Sequence, residues 1–375
     1  MRKRPLMMVP GPVDCSSKVL KALSEQPLYP RNPQFIASFR RVLQGLREVF
    51  GASDGQPVLM NGSGLLAMEM ACANFMEQDT HVVILNSGFF GDQLLRVAKC
   101  YSKNITVLEA QFGERVALDR VRKHLDSSEC QVLAVSHIDT ESSVKADLKD
   151  LATIAQEKGV LTIVDAVASV GGEWIEQTRW GVDVCFASTQ KALACPPGLA
   201  LLMLSPRALQ HLKNRKTPPS TVYQNLKLWI DSMQSYETNG VPRLVSTQAT
   251  NLIAALDVAL ELIRKEGLEQ RIQRHEQIAQ CIREGVTEMG LELVPKRPEY
   301  YANTVTTMYS PNQLLASSVI EQMLKNNVRI APGLGPRREE LLRIGHMGIT
   351  TLTDATTTLV ALKRVLKELL QNEML

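Results

Sequence analysis

Apolar and polar positions along the chain switch between two periods. Short apolar runs at 57–60, 82–85, 105–109, 131–136, 160–164, 183–187 and 199–204 read as seven buried strands. Helical patterns near 65–76, 91–101, 116–124 and 147–158 separate most of them. That rhythm predicts an α/β fold with right-handed crossovers and a mostly parallel seven-stranded sheet sandwiched by helices. The last two strands are joined only by the loop around Pro196-Pro197-Gly198, and so short a gap suits an antiparallel partner. Upstream, Asn32 and Pro33 mark a helix start. Phe35, Phe39, Val42, Leu43, Leu46 and Phe50 share one face of it, and Gly51 ends it.

Beyond residue 205 the pattern changes. Residues 214–245 read as polar and irregular, with Pro218-Pro219 and Gly240-Val-Pro242. A long amphipathic helix is predicted over 248–265, and further helices near 268–290, 313–326 and 353–372. Strands fit 291–294, 303–309, 328–331 and 341–344. The expected organisation is a large domain over 16–263 and a smaller C-terminal α/β domain over 264–375. A length of 375 residues accommodates both.

Composition narrows the function classes. The chain is 45% hydrophobic and 22% charged, which excludes a disordered chain, a collagen-like repeat and a long coiled coil. Its net charge of +3 gives no electrostatic footprint for nucleic acid or an anionic membrane. Seven scattered cysteines without a CxxC pair form neither a disulfide framework nor a zinc site, and no metal is expected. The basic start Met1-Arg-Lys-Arg-Pro5 is followed at once by Pro10-Gly11-Pro12, which leaves no apolar signal core. With no apolar run long enough for a bilayer, the chain reads as cytoplasmic.

Four constellations carry chemistry. Asn61-Gly-Ser-Gly-Leu65 lies between a strand and a helix, where backbone N–H groups attract phosphate. A tight turn without ligand is the plain alternative. The stretch also fits G-x-G-x-x-A through Gly62, Gly64 and Ala67, but the second strand ends in Asn86-Ser87. A dinucleotide site wants an acid there. Asp165 closes the strand Thr162-Ile-Val on the ligand edge of such a sheet, and Lys191, in Ser188-Thr-Gln-Lys-Ala192, follows the next strand. An acid that keeps a pyridine nitrogen protonated and a lysine that binds an aldehyde are the two groups pyridoxal phosphate requires. Arg343, in Leu341-Leu-Arg-Ile-Gly345, is costly within an apolar strand unless paired, and its fork suits a carboxylate. His346 reads as a packed histidine. His81, His124, His211 and His275 read as surface or capping residues.

These motifs, with Val164-Asp-Ala-Val-Ala-Ser-Val-Gly-Gly172 and Val9-Pro-Gly-Pro12, resemble the class V aminotransferases of PLP fold type I. Among these the chain is most similar to alanine–glyoxylate and serine–pyruvate (serine–glyoxylate) aminotransferases. The resemblance implies pyridoxal 5'-phosphate as cofactor, with Lys191 bonded to its aldehyde and moving the proton. It places Asp165 at the pyridinium nitrogen, Val167 under the ring and Phe90 stacked on it. Ser63, Gly64 and Gln190 hold the phosphate with Leu65 beside them, and Thr140 meets the phenolic oxygen. Thr247 reaches the phosphate of a neighbouring subunit, so a homodimer with shared active sites follows. The N-terminal segment 1–15 is expected to cross to that partner. Arg343 binds the substrate carboxylate, with Gly11 and Tyr29 on the substrate side.

Departures from the family concern the pocket. Phe90 stands where tryptophan is often found, Leu65 where histidine is, and Leu244 where a tyrosine is. Tyr29-Pro30-Arg31 replaces Gly-His-Arg, and Glu141-Ser142-Ser143 replaces Ser-Thr-Gly. The expected reaction moves an amino group from alanine or serine to glyoxylate or pyruvate by a ping-pong route. Relatives that use ureidoglycine, pyridoxamine, aminoethylphosphonate or aspartate share the framework, and a noncatalytic subunit of the same fold is the alternative from another class. A cysteine desulfurase is disfavoured because residues 282–375 contain no cysteine. A dicarboxylate donor needs a second cation. Arg31, Arg243, Arg337 and Arg338 are the candidates, Arg31 foremost, and small neutral donors are expected.

Overall fold

The computed structural model describes residues 4–373 apart from 216, 239–240 and 312–313. The Met1-Arg-Lys start, Gly240 and the chain end lie outside the described residues. Among the described residues the strands are β1 (Leu6–Met7), β2 (Gln56–Asn61), β3 (Val82–Asn86), β4 (Ile105–Glu109), β5 (Val132–Ser136), β6 (Leu161–Asp165), β7 (Val184–Ser188) and β8 (Leu199–Leu204). Four more follow: β9 (Val305–Tyr309), β10 (Val328–Arg329), β11 (Ala331–Pro332) and β12 (Leu341–Gly345).

The seven runs of the large domain form one sheet in the order β2-β8-β7-β6-β5-β3-β4. Pairing is parallel from β7 through β6, β5 and β3 to β4. The strand after the Pro-Pro-Gly loop, β8, runs antiparallel to β7 and to β2. Most of these strands are buried along their whole length, because helices cover both faces of a parallel sheet. The helix Pro33–Phe50 starts at Asn32, whose side chain accepts the Gln34 N–H, and ends at Gly51 in the left-handed conformation.

Asp183 ties the sheet together at its other edge. Its buried carboxylate accepts the N–H and hydroxyl of Thr162, the hydroxyl of Ser205 and the Arg207 guanidinium.

A second sheet, antiparallel and in the order β11-β12-β9, is flanked by the helices Leu268–Glu288, Ala316–Lys325 and Leu352–Glu373. One apolar core takes residues from Val19 to Ile263, and another takes residues from Ile278 to Leu366. The N-terminal stretch adds residues to the second core. β1 pairs in parallel with β10, and Leu6 and Met8 are buried there.

Three local expectations change. Within 214–245 the structure contains the helix Leu226–Glu237, capped by Asn225 and burying Trp229, Ile230, Met233 and Tyr236. The apolar spacing was helical, but the prolines and polar residues around it masked the signal. Residues 291–294 give only a bridge from Leu293 to Met308. The run 328–331 splits at Ile330, because its two ends pair with different strands. No helix among the described residues is long and apolar enough to cross a membrane.

Replacing Asp183 by alanine leaves the buried Thr162 N–H without its acceptor, while the part-exposed Arg207 keeps the Val160 carbonyl. The expected loss is about 1–3 kcal/mol of unfolding free energy, read as a lower urea midpoint. A loss under about 1 kcal/mol contradicts the assignment of Asp183 as the tie.

Candidate active site

The carboxyl ends of five strands deliver the site. β2 leads into Ser63, Gly64 and Leu65, and β3 leads into Phe90. β5 leads into Thr140, β6 ends at Asp165 before Val167, and β7 leads into Gln190 and Lys191. The chain reverses direction of winding between β3 and β5, which opens a crevice at this edge of the sheet. All nine of these residues line one cavity of about 260 Å3. Met68, Gln93, Ile138, Ala168 and Ser188 line it as well and were not singled out from the sequence. Ser188 was within reach, since it is the last position of β7 and opens the Ser-Thr-Gln-Lys motif.

The three charged groups are held by main-chain atoms. Asp165, 5% exposed, accepts the Val167 N–H at 2.9 Å. Lys191 donates Nζ to the Pro10 carbonyl. Arg343, 7% exposed, donates Nε to the Pro332 carbonyl at 2.6 Å and Nη1 to the Thr140 carbonyl at 3.0 Å. Gly11 has φ of +108°, and a Cβ there would stand 2.7 Å from Lys191 Cδ, so only glycine lets the N-terminal segment pass over the amine.

Electrostatics follow from this burial. Burial raises the Asp165 carboxyl to about 6, against the opposing Val167 N–H. Burial lowers the Lys191 amine to about 8; Arg343 adds to the shift and Asp165 opposes it. Burial lowers Arg343 to about 10, opposed by Asp139 and Glu141. Asp139 in turn accepts the N–H groups of Phe90, Glu141 and Ser142, which fixes the loop before Thr140 to the helix that begins at Phe89.

The residues fit pyridoxal phosphate. The helix Gly64–Phe75 begins at Ser63 with no side-chain cap, leaving its first N–H groups facing the cavity end. Ser188 Oγ and Gln190 Oε1 are buried there without a hydrogen-bond partner among the described residues. A Cβ on Gly64 would stand 3.0 Å from Val167 Cγ2 and 3.3 Å from Ser188 Oγ, closing the cradle. An acid, an amine and a set of phosphate-binding groups thus surround one space.

Two expected residues lie elsewhere in the chain. Thr247 is exposed, its carbonyl accepting Asn61 Nδ2, and it does not border the cavity. Tyr29, expected to narrow the pocket, is 60% exposed and accepts from Arg31 Nη1 at 2.9 Å, also away from the cavity. The local chain turns both outward. His346 is packed as read, bonded to Thr306 and to the Asn303 carbonyl. His275, read as a surface or capping residue, is fully buried instead. Its Nε2 accepts the Gly348 N–H, which joins the first helix of the small domain to the loop after β12.

In the cofactor-free protein, reductive methylation of Lys191 should rise with pH about a midpoint near 8, against about 10.4 for an ordinary lysine. Arg343→Ala removes a nearby cation and moves the midpoint up, whereas Asp165→Asn removes an anion and moves it down. A midpoint that ignores both substitutions contradicts the electrostatic coupling.

Comparison with known proteins agrees with this site. The family model for aminotransferase class V matches residues 18–334. Alanine–glyoxylate aminotransferase 1 of Saccharomyces cerevisiae is 31% identical, over 92% of this chain and 92% of that protein. The crystal structure of an alanine–glyoxylate aminotransferase from Nostoc sp. superposes with a TM-score of 0.91 at 29% identity, covering 98% of this chain and 96% of that one. That of ureidoglycine–glyoxylate aminotransferase from Bacillus subtilis gives 0.91 at 26% identity, over 98% and 94%. Aminotransferases of this class and fold depend on pyridoxal phosphate. An uncapped phosphate cradle, a lysine and an acid on adjoining strand ends, and a match over most of the chain lead to one assignment: the chain belongs to the class V aminotransferases and is a transaminase of PLP fold type I.

Proposed function

We propose that the enzyme moves an amino group from a small amino acid, alanine or serine, to glyoxylate or pyruvate in two half-reactions through one site. The observation that carries the reading is the convergence of Lys191, Asp165 and Arg343 on adjoining cavities, each held by main-chain groups and none consumed by the others. Bound pyridoxal phosphate supplies an aldehyde carbon and an electron-accepting ring. Asp165 holds a proton on the ring nitrogen. Lys191 Nζ, released from the aldehyde carbon by the incoming amine, would take the proton from the donor's α-carbon and deliver it to that former aldehyde carbon; its lowered basicity makes the neutral amine accessible near neutral pH. Arg343 orients the α-carboxylate with its planar fork. Phe90 and Val167 cover the ring, and Thr140 orients its phenolic oxygen. Ser63, Gly64, Gln190 and Ser188 hold the phosphate, with Leu65 at the rim.

The small substrates are supported by the names of the yeast and Nostoc relatives. The Bacillus neighbour favours a second reading, ureidoglycine as donor on the same machinery. We also infer a cytoplasmic homodimer with shared sites. Thr247, Tyr29 and Leu65 are exposed in the single chain, as residues that meet a neighbouring subunit would be.

The test is a half-reaction screen of the holoenzyme with alanine, serine, ureidoglycine, pyridoxamine and aminoethylphosphonate, following loss of the cofactor's long-wavelength absorbance. Alanine or serine should discharge it fastest. If neither does while another donor does, the substrate reading is wrong. Asp165→Ala should slow the step by at least ~10²-fold, and an unchanged rate removes Asp165 from its role.

A further inference from the structure

The cavity beside Lys191 adjoins a larger one of about 600 Å3; Phe90, Thr140 and Lys191 border both. Buried Arg343 belongs to the larger one. Its walls are largely apolar, with Val9, Ile320, Leu324 and Ile330 among them. Alanine or serine, bound by its carboxylate to Arg343, leaves most of this space unused.

Four more charged residues border it: Arg329, Arg338, Glu321 and Glu339. Three of them are committed. Glu321 lies 2.8 Å from Lys325 Nζ, and Glu339 accepts the Ser317 N–H at 2.9 Å and stands 3.9 Å from Arg338 Nε. The side chain of Arg329, exposed and on β10, has no hydrogen bond or ion pair among the described residues. Arg329 and Arg343 border the same cavity. Ala331 lies opposite Arg343, and Arg329, which pairs with Met7 of β1, precedes Ala331 by two residues. A diacid held by Arg343 at one end can therefore offer its second carboxylate to Arg329. No local pattern marks Arg329, which sits in the apolar run Val328-Arg-Ile330, whereas Arg31, the foremost candidate, bonds the Pro242 carbonyl and Tyr29 away from the cavity.

We propose that Arg329 forms a distal anion subsite, so that the site accepts, besides the small substrates proposed above, an amino acid or 2-oxo acid with a second carboxylate on its side chain. The proposal rests on Arg343 as the α-carboxylate receptor. In a two-half reaction both substrates use the same site in turn, and the smaller one fills only the inner end.

Calorimetric titration of the holoenzyme with two unreactive acids, glutarate and butyrate, tests it. Glutarate should bind at least about tenfold more tightly than butyrate, as a charge-assisted hydrogen bond to the second carboxylate provides. Arg329→Gln should close that gap and lower the ratio of kcat/KM for glutamate over alanine by a similar factor. The absence of a gap in the wild type, or a gap that survives Arg329→Gln, overturns the proposal while leaving the alanine–glyoxylate reading intact. Arg343→Gln should weaken both acids. If it weakens neither, the α-carboxylate reading fails and the distal subsite falls with it.

Discussion

Three ionisable side chains, Asp165, Lys191 and Arg343, are drawn out of water into one cleft and denied each other as partners. Each is held by main-chain groups: the Val167 N–H, the Pro10 carbonyl, and the Pro332 and Thr140 carbonyls. Had Asp165 paired with either cation, those two groups would be engaged with each other rather than with a ligand. Held this way they carry depressed or raised proton affinities and remain available to a ligand.

That constraint explains much of the architecture. The four supporting peptide groups come from the N-terminal segment, two loops on the sheet edge and β11, so the seven-stranded sheet alone does not complete the site. Gly11 carries the N-terminal segment over the amine, and the Met8 carbonyl accepts the Gly345 N–H beside Arg343. The close passage of that segment joins the small domain's β12 to the large domain's Lys191. Asp139 does the same work within the large domain by fixing the Phe90 helix to the Thr140 loop.

Much of this was legible in the sequence, for a physical reason. Strands buried on both faces write themselves as apolar runs, and a ligand edge in a parallel sheet lies at their carboxyl ends, so Ser63, Asp165 and Lys191 could be placed by position alone. The loop-borne Phe90 and Thr140 needed the family resemblance. What stayed hidden depends on chain crossings that no local pattern encodes. Met68 and Gln93 face the cavity from helices whose other sides pack on the sheet. His275 is buried where the loop at Gly348 donates its N–H to it. Arg329 reads as a strand residue until it is seen to border the cavity of Arg343, and Thr247 and Tyr29 do not border the cavity of their own chain.

The central claim is that Lys191 is the amine that bonds the cofactor. Borohydride reduction of the holoenzyme followed by peptide mapping tests it most directly. The predicted result is a yellow protein whose reduced cofactor is recovered on the peptide containing Lys191 and on no other. Recovery on a different lysine, or a colourless protein that takes up no pyridoxal phosphate, would contradict it.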